Sequence, residues 1–424
     1  MITAREHFVN DVSAASLLTA ARARAGTGVR WLMSFILLLA VTTAFFDRIN
    51  IAVLFSNNAF HADIGVSDPA LMGLLMTAFV FSYGISAMLF SITGDYFGPR
   101  KTLSAIAAIL AATMAFMGVG SSYALMLAGR VTIGITEGPQ FGTAISVVKR
   151  WFPPRGQALG NAVWTIGSPL GSMIGFPLVI FLVAQYGWRA SFYVLAALNA
   201  FIVVPIVWFF LRDRPADDVR MAVASQEKQM PFGHAFTIVM RDYKFWLMTF
   251  FNSGVLIYLW GLNAWLPTYL QRARGFDLLS TGFYSSLPFF LMIIGQFLFA
   301  WVSDVLGRRA LVCGASLFMT GFFLYLTSIV PDATTAAWCI ALSAGFWGGT
   351  TPTLFALGAE VIPAKITAAG FGLYGGIANI IGSFAPLIVG TLVSTTGSFT
   401  AGLQFLVACC VIGSLGMIPL IRKY

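Results

Sequence analysis

The sequence predicts an all-α membrane protein, with twelve transmembrane helices arranged as two pseudo-symmetric six-helix bundles. Three observations predict it. Hydrophobic residues make up 58% of the 424 and charged residues only 10%, with a mean hydropathy of +0.84, which sets the chain apart from soluble domains. Apolar runs long enough to cross about 30 Å of hydrocarbon recur along its length. Motifs of the first half also return in the second half at a fixed offset.

In order, the apolar runs are 31–54, 70–92, 102–120, 123–148, 157–183, 190–211, 244–270, 280–302, 310–329, 334–358, 366–394 and 399–421. The second run ends in Gly94-Asp95-Tyr96-Phe97-Gly98-Pro99-Arg100-Lys101. The eighth ends in Ser303-Asp304-Val305-Leu306-Gly307-Arg308-Arg309, so Asp-x-x-Gly with basic residues recurs 209 positions on. After the fourth run, Pro153-x-Arg155-x-x-Ala158-x-Gly160 matches Pro363-x-Lys365-x-x-Ala368-x-Gly370 after the tenth, and Gly187 matches Gly397, both offset by 210. A duplicated six-span unit follows. Its parts are a cytoplasmic tail at 1–30, a bundle at 31–211, a polar linker at 212–243 opening on Arg212-Asp213-Arg214-Pro215, and a second bundle at 244–424.

Charge orients the chain. With the N-terminus inside and the spans alternating, only Arg189, Arg272 and Arg274 fall outside, and Arg48 and Arg130 fall within spans. The remaining twenty of 25 basic residues lie inside, as the positive-inside rule requires of a cytoplasmic (inner) membrane protein with both termini in the cytoplasm. The net charge of +9 thus belongs to a bilayer protein rather than to a nucleic-acid binder. The segment 1–30 reads as a short mobile tail and not as a signal peptide, because Asn10, Asp11 and Ser13 interrupt its apolar stretch. Cys313, Cys339, Cys409 and Cys410 fall in spans without metal-ligand spacing and read as packing residues. Neither a metal nor any other cofactor is expected. In the fifth span, Gly167-x-x-x-Gly171-x-x-x-Gly175 puts three small residues on one face for close helix packing.

Four ionisable residues sit inside apolar runs, namely Asp47 and Arg48 in the first and Arg130 and Glu137 in the fourth. Each costs roughly 2.5–3.5 kcal/mol at the bilayer centre on insertion scales, and groups held there at such a cost mark proton, ion or substrate paths. Asp47 and Arg48 point about 100° apart around a helix, toward different neighbours, while Arg130 and Glu137 share a face about 10 Å apart. A structural ion pair of Arg48 with Asp47 or Glu137 is the plainer reading. The second half, without intramembrane charge, offers Asn263, Thr350, Thr351, Asn379 and Ser383 for the neutral end of a small anion. Asp95 with Arg100 and Asp304 with Arg308 lie at helix ends, as topology anchors or as charge latches.

The paired Asp-x-x-Gly loops and the repeat resemble the major facilitator superfamily over 31–421. Phe46-Asp47-Arg48-Ile49-Asn50 with Arg130-x6-Glu137 resembles its anion:cation symporter family. That resemblance implies that Arg48 and Arg130 hold a substrate carboxylate, helped by Asn50 and Tyr83, and that Asp47 and Glu137 handle protons. Where sugar-acid members of the family carry a glutamine, the fifth span reads Val163-Trp164-Thr165-Ile166-Gly167-Ser168, which argues against recognition of many hydroxyls.

The expected function is proton-coupled uptake of a small organic anion by a monomer in the bilayer. Anion or organophosphate exchange and small-molecule efflux stand as alternatives. Tyr258, the 210-offset counterpart of Arg48, supplies no second arginine for a phosphate clamp. An enzyme is not expected, since no His-Glu-x-x-His, Gly-x-Ser-x-Gly or Walker loop is present.

Overall fold

Glycine and proline decide where the apolar runs stay single helices and where they break. In this computed structural model the described residues are 2–90, 93–153, 156–213, 240–362 and 367–423. Most of the expected linker, and Arg155, Pro363 and Lys365 of the repeated motif, lie outside them. All regular elements among the described residues are helical. Ten helical stretches there are long and apolar enough to cross a membrane. The fourth and tenth passes complete the twelve as broken helices, Tyr123–Glu137 with Pro139–Trp151 and Ala333–Gly348 with Thr350–Val361. The breaks fall at equivalent places in the two halves.

The first pass belongs to a helix, Ile2–Leu54, that continues back through the stretch expected as a tail; its membrane-crossing part is Gly28–Leu54. Pass two is Pro69–Phe90, pass three Pro99–Val119, pass eight Leu278–Leu306 and pass nine Arg309–Ile329. Pass five is Gln157–Thr165 with Gly167–Tyr186, and pass eleven is Thr367–Gly382 with Ala385–Thr396. Pass twelve is Phe399–Leu415. Passes six (Trp188–Leu198, then Val204–Phe210) and seven (Tyr243–Thr268) each contain a widened π turn, Asn199–Val203 and Tyr269–Ala273. Such turns recur at functional sites.

The break in pass four has a traceable cause. Pro139 has no N–H to give to the carbonyl of Ile135, four residues back. Ser86 of pass two donates its hydroxyl to that carbonyl instead, at 2.6 Å. Gly138 lets the two passes touch there, since a Cβ on it would sit 2.4 Å from Ser86 Oγ. Pass ten repeats the close glycine contact against pass eight, where a Cβ on Gly348 would sit 2.3 Å from the carbonyl of Met292.

The glycine stripe of pass five packs on pass one. Gly167 meets Leu38 and Val41, Gly171 meets Thr42 and Phe45, and Gly175 meets Phe46 and Ile49, which brackets Asp47 and Arg48. The halves join through passes five and eight, two and eleven, and one and seven. On the face opposite the termini, Asp63 of the short helix Asn58–Ile64 binds Trp188 and Arg189 between passes five and six. The Arg189 guanidinium holds the Asp63 carboxyl below the usual carboxylate range.

Candidate functional site

All four intramembrane charges are buried, none more than 2% exposed, and they meet between passes one, two, four and six. Arg48 projects from pass one toward the kink in pass four, where Glu137 is the last residue before the break. Arg48 Nε donates to Glu137 Oε2 at 2.5 Å. Aromatic rings surround the guanidinium, with Phe45 at 4.4 Å, Tyr83 at 4.8 Å, Phe79 at 5.6 Å and Phe141 at 5.8 Å from its centre. Water is thereby displaced from a charge that still needs hydrogen bonds. Arg48 Nη2 and Glu137 Oε1 remain without a hydrogen-bond partner. The pair holds together yet keeps one donor and one acceptor open.

Arg130 is placed differently. Its donors go to main-chain carbonyls, Nε to Leu75 and Nη1 to Asp47 at 3.3 Å each, and Nη2 to Arg48 at 3.5 Å. Nη2 also lies 3.3 Å from Met76 Sδ, and Phe79 stacks 4.5 Å from the guanidinium centre. Arg130 thus clamps the backbone of passes one and two around the charged cluster. Asp47 Oδ2 accepts from Asn199 Nδ2 at 2.9 Å, at the π turn of pass six, while Oδ1 has no partner. Asn199 went unnoticed in the sequence; the one available signal was a lone amide in an otherwise apolar run.

The other candidates divide. Phe79, beneath both arginines, meets Trp260 of pass seven edge-on at 6.0 Å, and Trp260 Nε1 donates to Asn379 Oδ1 at 3.1 Å. Asn379 also packs on Gly84, beside Tyr83, so the second half reaches the cluster through Trp260 and Asn379. Asn50 is buried with both amide atoms unpartnered, and Asn263 is buried with an unpartnered Oδ1. Thr350 returns its hydroxyl to Trp347 O at the break in pass ten. Tyr258 is buried and hydrogen-bonded to Ser343.

At the face of the termini, Asp95 pairs with Arg150 and accepts from Ser146, at 2.9 and 2.7 Å. Arg100 instead lies 5.3 Å over Trp208, with its backbone N–H bound to Asp213. Asp304 and Arg308 are exposed, and the ion pair there is Arg309 with Glu360 at 2.6 Å.

The model of the Major Facilitator Superfamily matches residues 37–386. The chain belongs to that superfamily. As a superfamily member it is a multi-pass membrane transporter and not an enzyme. It is 30% identical to a Cupriavidus necator protein named "Probable sulfoacetate transporter SauU", over 91% of this chain and 90% of that one. It is 25% identical to the hexuronate transporter of Bacillus subtilis, covering 83% and 86%. In fold it matches the inward-facing, unoccupied crystal structure of a bacterial homologue of the human lysosomal transporter Spinster, with a TM-score of 0.72 and 18% identity, over 93% of this chain and 94% of that one.

Proposed function

We propose that this transporter carries a small organic acid across the bacterial inner membrane together with protons, and that Arg48 receives the acid's carboxylate or sulfonate. The observation that supports it is the buried Arg48–Glu137 pair with its one open donor and one open acceptor. An anion entering this space competes with Glu137 for Arg48, and protonating Glu137 removes the competitor. Proton and anion are then bound together, which is the linkage that symport needs. Asp47, held by Asn199 and with one free oxygen, is the second proton carrier. Arg130 acts by holding the main chain of Asp47 and Arg48 in place.

Relatives named as sulfoacetate and hexuronate transporters support a substrate among sulfonated and carboxylated small acids. The aromatic surround of Arg48, and the lack of a glutamine in the stretch 163–168 of the fifth span, favour an acid with few hydroxyls. The basic residues on the side of the termini support a cytoplasmic location for both termini. The working unit is a monomer in the bilayer, with protons as the coupling ion and no cofactor.

Uptake of radiolabelled sulfoacetate, glucuronate and galactonate into proteoliposomes, with and without an inward proton gradient, tests this. Accumulation of at least one acid that collapses with a protonophore is the expected result. Exchange of acid with no accumulation under any proton gradient would instead establish an antiporter.

A further inference from the structure

On the face opposite the termini, away from the charged cluster, lies a cavity of about 520 Å³. This volume is ample for a small acid. Pass seven supplies one wall, with Trp265, Thr268, Tyr269 and Arg272, and the start of pass twelve supplies Ser398 and Thr400. No carboxylate is among the described residues lining it. Two guanidiniums are, and they differ in what they have left to give. Arg274 is spent, with Nε on Tyr269 Oη at 2.6 Å, Nη1 on Val330 O at 2.8 Å and Nη2 on Thr327 O. Arg272 is exposed, and its hydrogen bonds among the described residues are long ones from Nη2, to Ser56 O at 3.3 Å and Asn58 Oδ1 at 3.5 Å.

Thr268 gives an independent indication. Most buried threonines in these helices return their hydroxyl to a carbonyl three or four residues back, as Thr249 does to Phe245 and Thr350 to Trp347, with Thr42 another that does not. Thr268 is only 2% exposed, yet its Oγ1 has no partner. It is the last residue of the helix before the π turn in pass seven and lines the cavity. A buried hydroxyl left unbonded costs free energy that a ligand oxygen or a water would recover.

We propose that this cavity is a second anion site, which captures the transported acid at Arg272 and Thr268 before the central site receives it. The identity of the anion, and the placing of this face outside, rest on the function proposed above. Arg272 is also a contact between the halves, next to Phe55 of pass one, whose ring lies 5.2 Å from that of Trp265 of pass seven at a tilt of 49°. An anion that draws Arg272 away from Ser56 and Asn58 loosens that contact, so capture favours opening on the side from which the acid arrives.

The test is equilibrium dialysis of radiolabelled sulfoacetate, glucuronate and galactonate against the purified full chain. One preparation is wild type and one carries Arg48→Gln with Glu137→Gln, which removes the central arginine without leaving an unpaired buried carboxylate. The double variant is expected to bind at least one acid at one site per chain, and adding Arg272→Gln or Thr268→Val is expected to weaken that binding at least tenfold. In wild type, the same two changes should lower the stoichiometry from two acids to one, a readout that does not depend on the double variant folding.

If wild type binds acid at a single site that Arg272→Gln leaves intact, the outer site is refuted and the transport reading stands. If the outer site binds acid but wild-type proteoliposomes transport none, the transport reading falls and the site stands. Binding by neither preparation removes both. Repeating the dialysis with added phosphatidylglycerol separates the two sources of anion. Should Arg272→Gln reduce retained phospholipid while leaving acid binding unchanged, the cavity is a headgroup site and the proposal is wrong.

Discussion

Two buried arginines, Arg48 on pass one and Arg130 on pass four, differ in what their donors meet. Arg48 keeps Nη2 open beside a carboxylate, whereas Arg130 is tied to three carbonyls and a sulfur. A lysine keeps the charge at either position but cannot form a fork. For Arg48→Lys the missing bond to an anion is worth about 1.5–3 kcal/mol, so kcat/KM for uptake should fall roughly ten- to a hundredfold. Arg130→Lys should act on the fold instead, lowering stability by about 1–3 kcal/mol as buried carbonyls lose their donors, with KM little changed. Melting curves and uptake kinetics on both variants check this. An Arg130→Lys protein of normal stability with a strongly raised KM would return Arg130 to the anion site. The presence of the four charges was legible in the sequence, and so was their sharing one region. Which arginine faces the carboxylate was not, because that depends on the carbonyls of Leu75 and Asp47, and a sequence shows no carbonyl direction.

At the scale of elements, hydropathy read the spans well and their breaks poorly. Gly138 and Pro139 pass unnoticed in an apolar window, yet they end the helix that carries Glu137 and turn its carboxylate toward Arg48. The pairing of Asp95 with Arg150 was hidden for a related reason, since its partners are 55 residues apart on different passes. The glycine stripe of pass five, by contrast, was legible as a packing face, and the structure supplies its partner. A Cβ on Gly171 would lie 2.6 Å from both Phe45 Cβ and the carbonyl of Thr42, so Gly171→Val must push pass five off pass one. Overpacking of this kind costs about 1–3 kcal/mol. Gly375, where a Cβ would meet nothing within 4 Å, is the control. Gly171→Val should lower the melting temperature and the uptake rate, while Gly375→Ala leaves both within error. Equal effects at the two positions would mean that glycine matters in these helices for backbone freedom rather than for close approach.

For the whole molecule, the asymmetry between the halves is the feature from which a mechanism follows. The first half holds every intramembrane charge, and the second answers with Trp260 and Asn379 across the ring of Phe79. Under the proposed function, rocking one half against the other would move neutral groups past a fixed electrostatic centre, and the cycle would turn on whether Glu137 or an anion occupies Arg48. Glu137→Gln fixes the protonated condition by removing the competing charge. Anion binding to Arg48 should then lose its dependence on pH, and counterflow exchange of labelled for unlabelled acid should persist. Accumulation driven by a proton gradient should disappear, because no proton is released or taken up as the anion comes and goes. Asp47→Asn should weaken accumulation in the same way, with an added loss of stability where the hydrogen bond from Asn199 to the carboxylate is altered. Counterflow and gradient-driven uptake measured on the same proteoliposomes separate the outcomes. If both variants concentrate the acid as wild type does, the two carboxylates are structural partners of Arg48 and Asn199, and the coupling proton takes another route.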